Sequence, residues 1–163
     1  MAIRREHSLA NPAVALALSF GLGLVPWMPG TFGAAGAFIL YPAVMHLPWV
    51  LQAALVSLLF VLGCVACGRA AQRLGGEDPS AIVWDETVGM LIVLVLTPAT
   101  VLSWLTGFIF FRILDITKPW LVGMAEERLS GGLAIMADDG LAGLGAAGLT
   151  WLVVALWSRL VTG

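Results

Sequence analysis

Long apolar runs, interrupted by brief polar or proline-bearing stretches, dominate the chain. A helix needs about 20 apolar residues to cross a bilayer, or about 17 where its ends snorkel. Pro48–Gly68 and Leu141–Val161 meet that length cleanly, while Gly33–Leu47, Ala81–Thr97 and Val101–Leu114 are shorter. His46-Leu47-Pro48-Trp49 and Thr97-Pro98-Ala99-Thr100 mark turns between successive runs. The first apolar stretch, Pro12–Val25, stops at Pro26 and Pro29 and is too short to span, which predicts an interfacial or re-entrant helix. The pattern predicts an all-α fold: a polytopic membrane helical bundle of about five membrane helices plus that N-terminal segment. Gly33/Ala37, Ala142/Ala146 and Gly143/Ala147 stand at small-xxx-small spacing, which lets membrane helices approach closely.

Composition agrees. Hydrophobic residues make up 60% of the 163 and charged residues 11%, against about 25% charged in a soluble domain. The length predicts one membrane-embedded domain over residues 1–163. A net charge of −2 gives no case for nucleic acid as a partner, and no obligatory protein partner is implied. Cys64 and Cys67 lie in an apolar helix without the βαβ setting of a redox CxxC, so they are expected to be packing residues. Arg4-Arg5 followed by Ala13–Val25 resembles a signal peptide, but Pro26-Trp27-Met28-Pro29 stands where a small-x-small cleavage site should be, and an uncleaved segment is expected.

The cations fix an orientation. Arg4 and Arg5, Arg69 and Arg73, and Arg112, Lys118 and Arg128 form three groups, each separated from the next by two of the runs read as crossings. If all three groups are cytoplasmic, two hairpins and a final single crossing satisfy the positive-inside rule, with Arg159 as the one misfit.

The chemistry should then lie at that cytoplasmic level. Five carboxylates fall near the ends of different runs: Asp85 and Glu86, Asp115, and Asp138 and Asp139. A carboxylate near the centre of a membrane helix costs about 2.5–3.5 kcal/mol on insertion scales, and several buried together need cations or protons to offset their repulsion. Each group also has a plainer explanation. Arg112, Asp115 and Lys118 recur every three residues on one helical stripe and would form a salt-bridge ladder ended by Pro119. Asp138 and Asp139, at a helix start, would be capping groups. Asp85 and Glu86 interrupt an apolar run and have the weakest such explanation. Convergence of all three groups favours a hard cation with oxygen ligands, and Mg²⁺ fits best, because His7 and His46 both lie outside the cluster. Arg112 and Lys118 would supply phosphate contacts. Pro29-Gly30-Thr31-Phe32-Gly33 adds a possible phosphate-binding turn at Gly30 and Thr31, where a helix starting near Gly33 would offer free N–H groups; a turn after a broken helix is the plain alternative. Cys67 and Arg73 have the Cys-x5-Arg spacing of cysteine phosphatases, but the residues between them continue a helix and form no phosphate nest.

Pro29-Gly30-Thr31-Phe32-Gly33, Val83-Trp84-Asp85-Glu86 with Gly89-Met90, Phe111-Arg112-x-x-Asp115-x-x-Lys118-Pro119-Trp120, and Gly131-Gly132 through Ile135-Met136 to Asp138-Asp139 together resemble the phosphatidylglycerophosphatase A family. The blocks cover the chain from about Gly21 to Gly143, with Leu121 replacing a proline common in relatives. The resemblance implies a Mg²⁺-dependent lipid phosphatase of the bacterial inner membrane, multi-pass and with its site on the cytoplasmic side. It would remove the terminal phosphate of phosphatidylglycerophosphate, by attack of water or through an aspartyl-phosphate. In that reading Asp85, Glu86, Asp115, Asp138 and Asp139 are the metal-binding and catalytic residues, while Gly30, Thr31, Arg112 and Lys118 bind substrate phosphate. The rival expectation is a small transporter or channel component, whose carboxylates should be spread through the membrane depth.

Overall fold

A computed structural model describes residues 9–74, 79–119 and 129–162. Arg4, Arg5, His7, Trp120, Leu121 and Arg128, used in the orientation and motif readings, lie outside them. The described residues form α1 (Pro12–Ala17), a 3-10 segment (Ser19–Leu24), α2 (Pro29–Val44), α3 (Trp49–Leu74), α4 (Trp84–Leu96), α5 (Val101–Thr117) and α6 (Gly131–Thr162), with no strand among them.

Local chemistry sets most boundaries. Asn11 caps α1 by accepting from the N–H groups of Ala13 at 3.1 Å and Val14 at 3.3 Å, and Pro12 occupies the first helical position, where no N–H is needed. The apolar stretch Pro12–Val25 is not one helix: Ser19, Phe20 and Gly21 take positive φ, at 45°, 55° and 110°, and fold the 3-10 segment back. Thr100 caps α5 by accepting from the Ser103 N–H at 3.2 Å. The remaining helices differ in length from the apolar runs. α3 continues through Gly68 to Leu74, carrying Arg69 and Arg73 on its last turns. α4 begins only at Trp84, because the Val83 N–H is used by the Ala17 carbonyl at 2.9 Å, which holds that non-helical residue against α1. α6 starts ten residues before Leu141, at Gly131.

Side-chain contacts fix the register. Phe38 of α2 meets Trp104 and Phe108 of α5, and Tyr41 meets Trp104. The Thr87 hydroxyl of α4 donates to the Gly33 carbonyl of α2 at 2.8 Å. The Trp151 indole of α6 donates to the Leu96 carbonyl at 2.7 Å, and that of Trp84 donates to Leu59 of α3 at 3.2 Å. The long helices therefore alternate in direction from α2 to α6. The starts of α2 and α4, the ends of α3 and α5, and the first third of α6 all gather at one end of the bundle.

α4 is the central helix. It packs on α1, α2, α3, α5 and α6, and Trp84, Val88, Met90, Leu91, Val93 and Leu94 are buried in the core. An all-round apolar helix of this kind belongs inside a protein. Its 13 residues extend only about 20 Å at 1.5 Å per residue. α3 and α6 are long and apolar enough to cross a bilayer, and only 22% and 33% of their most apolar windows are buried. A soluble core helix would be mostly buried; these instead present Leu58, Leu62, Val65, Leu152, Leu156 and Trp157 outward. Apolar outer faces of that extent suit lipid and membrane association.

Candidate active site

Four chain segments bring the polar residues to the shared end of the bundle. The first turn of α4 carries Asp85 and Glu86. Asp139 comes from α6, and one carboxylate oxygen from each of these three residues lies within 4.8 Å of the other two. Asp85 and Asp139 are buried and Glu86 is half-buried. Two turns of α6 precede Asp138 and Asp139, so the plainer explanation of them as capping groups at a helix start does not hold. Asp138 instead accepts from its neighbour's backbone N–H at 3.0 Å.

The separation of these carboxylates is set by backbone contact between α4 and α6. A methyl group on Gly89 would lie 2.7 Å from the Asp139 carbonyl oxygen, and one on Gly143 would lie 2.5 Å from the Gly89 carbonyl oxygen. Both glycines follow an acidic ligand candidate by four residues, on the same helical face: Asp85/Gly89 and Asp139/Gly143. The sequence reading missed Gly89 and Gly143 as site-forming residues, although that shared i,i+4 spacing was a usable signal.

Two cations border the cluster. Arg112 forms an ion pair with Asp115 one turn away on α5. Lys118 pairs with Asp138 of α6, Nζ to Oδ2 2.9 Å. The expected Arg112–Asp115–Lys118 stripe is thus broken. α5 ends at Thr117, and Lys118 adopts a left-handed conformation (φ 41°, ψ 58°) before Pro119, taking its side chain off the stripe. Asp115 also interacts electrostatically with Glu86 and Asp139, so all five predicted carboxylates belong to one neighbourhood.

The predicted phosphate-binding turn arrives from α2. That helix starts at Pro29, earlier than the expected Gly33, and is entered from Met28 in the left-handed region (φ 53°, ψ 53°). Gly30 sits flush against the cluster: a methyl there would overlap Glu86 Oε1 and lie 3.2 Å from the Arg112 guanidinium nitrogens. Left-handed non-glycine residues cost about 1–3 kcal/mol each and gather at functional sites; here Met28 and Lys118 mark the entry and exit of two site-bearing helices.

Polar satisfaction singles out the same place. Buried side-chain atoms without a hydrogen-bond partner among the described residues include Asp85 Oδ1, Glu86 Oε2, Asp139 Oδ2, Thr31 Oγ1 and Arg112 Nε. Unpaired buried polar atoms are rare in a folded protein and call for a ligand, ion or water. Three carboxylates that each carry an orphaned oxygen, and that each bring one oxygen within 4.8 Å of the others, form an all-oxygen group that fits a hard divalent cation. Cys64 and Cys67 form no disulfide, and Cys67 is buried against the Met136 sulfur at 4.0 Å, as a packing residue would be. His46 is exposed in the α2–α3 turn, at the opposite end of the bundle.

The family model described as Phosphatidylglycerophosphatase A matches residues 15–154, which include every residue of this cluster. The chain belongs to the phosphatidylglycerophosphatase A family. Membership makes it a phosphatase enzyme. It is 38% identical over 150 residues to Phosphatidylglycerophosphatase A of Escherichia coli strain K12, covering 91% of this chain and 87% of that one. It is 40% identical over 142 residues to the Haemophilus influenzae protein of the same name, covering 86% and 87%. A Bacteroides thetaiotaomicron protein carrying the provisional name phosphatidylinositol-3-phosphatase is 36% identical over 142 residues, covering 80% and 86%. No solved structure matches the chain at a significant level.

Proposed function

We propose that this phosphatidylglycerophosphatase A family member hydrolyses the terminal phosphate of phosphatidylglycerophosphate, with Mg²⁺, to give phosphatidylglycerol. The reading is carried by one observation: Asp85, Glu86 and Asp139, each with a buried oxygen unpartnered among the described residues, gather within 4.8 Å beside the cations Arg112 and Lys118. Mg²⁺ would be held by Asp85, Glu86 and Asp139, with Asp115 and Asp138 as the adjoining acidic residues; when bound it neutralises phosphate charge and makes water a better nucleophile.

The chain's own residues do the rest. Arg112 offers a planar fork to the phosphoryl oxygens, and Asp115 holds that fork in place. Lys118, turned out of its helix toward Asp138, reaches the second phosphate, the diester that remains in the product. Gly30 lets the α2 backbone lie against the cluster, and the Thr31 hydroxyl, buried without a partner among the described residues, donates to the headgroup. A cluster carboxylate takes the attacking water's proton. The phosphorus–oxygen bond to the terminal glycerol breaks, that oxygen takes up a proton, and phosphatidylglycerol and inorganic phosphate leave.

In the same reading residues 1–163 form one domain in the bacterial inner membrane. About five helices cross it, Pro12–Val25 lies at the interface or re-enters, and the site faces the cytoplasm. Alternating helix direction and the outward apolar faces support this arrangement. The transporter alternative is not favoured, because its carboxylates should be spread along the pathway and these meet at one end.

The test is release of phosphate from phosphatidylglycerophosphate by the purified chain in micelles, after chelation and after Mg²⁺ is restored. Release that stops with chelator and returns with Mg²⁺ is expected; release indifferent to both would remove the metal from the reading. Phosphatidylinositol 3-phosphate serves as the competing substrate, and its faster turnover would overturn the headgroup assignment.

A further inference from the structure

A polar cavity opens at the same end of the bundle, outside the carboxylate cluster. It has a volume of about 440 Å³ and is lined by Asn11, Pro12, Ala13, Arg69, Gln72 and Arg73. Arg69 and Arg73 stand one turn apart on α3, so their guanidinium groups serve the same face. Among the described residues neither pairs with a carboxylate, and no acidic side chain lines the cavity. Two cations that share one recess, with no carboxylate among the described residues lining it, suit a phosphate ester. Its walls come from α1 and α3 and share no residue with the phosphatase site.

The helix below the recess identifies the source of that phosphate. Leu58, Leu62 and Val65 follow one another at spacings of four and three residues, and Arg69 follows four later. All three apolar residues face outward, at 54%, 46% and 48% exposure. An unbroken apolar stripe leading to a pair of arginines has the outline of a phospholipid, with acyl chains along the stripe and headgroup in the recess. Snorkelling cations at a helix end need no cavity; these line one. Basic pockets at helix ends on the cytoplasmic side of a membrane hold anionic headgroups in the same manner.

We infer that Arg69 and Arg73 hold the headgroup of an anionic phospholipid as a bound, non-reacting lipid distinct from the substrate. The inference rests on the reading of α3 as a membrane-crossing helix and not on the hydrolytic one. The full chain in neutral detergent is mixed with equimolar phosphatidylserine and phosphatidylcholine, and bound lipid is counted by native mass spectrometry. Retention of phosphatidylserine over phosphatidylcholine is expected. R69Q/R73Q should weaken it about 25-fold, each arginine contributing about fivefold, R69Q and R73Q singly should lose about fivefold, and R69K/R73K should keep most of it. Hydrolysis of phosphatidylglycerophosphate by R69Q/R73Q in the same micelles should match the parent, which separates this site from the catalytic one. Equal retention of the two lipids by the parent, or phosphatidylserine retention unchanged in R69Q/R73Q, overturns the inference. Millimolar inorganic phosphate that fully displaces the lipid overturns it too, since the recess would then serve free phosphate.

Discussion

Asp139→Asn separates ligand chemistry from fold stability by sign. Asparagine keeps the size of aspartate, so the Gly89 contact with the residue 139 backbone is preserved. What changes is charge. At 4.8 Å, the outer limit of the separation within the Asp85–Glu86–Asp139 group, two ionised carboxylates repel by about 3.5 kcal/mol at an effective dielectric of about 20. Asp139 makes two such pairs, and proton uptake by the cluster relieves part of the repulsion. In chelator the substitution should therefore stabilise the fold by about 1–3 kcal/mol, or about 2–4 °C in Tm for each kcal/mol. With Mg²⁺ present the order should reverse, since only the parent gains the binding energy, about 2.7 kcal/mol at a hundred times Kd. Turnover should be abolished. Thermal unfolding in detergent, followed by tryptophan fluorescence with and without Mg²⁺, gives both signs, and phosphate release gives the third reading. A variant that melts lower in chelator, or that still turns over substrate, refutes the account of Asp139.

Three further outcomes follow from the same geometry. Lys118→Ala should lower kcat/KM by about tenfold or more while the helical circular dichroism is unchanged, and an unaltered kcat/KM would leave Lys118 as a partner of Asp138 alone. Gly30→Ala puts a methyl into Glu86 Oε1 and against the Arg112 guanidinium; phosphate release should fall by about a hundredfold with little loss of thermal stability, because alanine favours the helix. Gly143→Ala forces the α4–α6 backbone contact apart and should cost about 1–3 kcal/mol, read as a lower Tm together with weaker Mg²⁺ stabilisation.

Helix order and the end of the bundle that carries the chemistry were legible in the sequence, because apolar runs and charge placement both report on solvent. Helix ends were less so. The carboxylates at 138 and 139 suggested a helix beginning at Leu141, yet α6 starts at Gly131, because charges that face a polar cluster do not end a helix. The apolar run closes at Gly68, yet the expectation that the helix continues between Cys67 and Arg73 holds, since α3 runs on to Leu74. The convergence of Asp85, Glu86 and Asp139 was anticipated, as was the Arg112–Asp115 pair, whose i,i+3 spacing is local. The Lys118–Asp138 pair was not, because it joins residues 20 apart through a left-handed turn. Gly30 against Glu86 is likewise a long-range meeting of α2 with α4.

The Gly89–Gly143 crossing has a mechanical consequence. Main chain touches main chain there, so no pliable side chain lies between the two helices that carry Asp85 and Asp139. The pair should tilt together as a single strut when the surrounding bilayer thickens or thins, and the bite offered to an ion should stay constant. Catalysis is then expected to vary little with host-lipid chain length, and an ion too large for that fixed jaw should be a poor substitute however abundant it is.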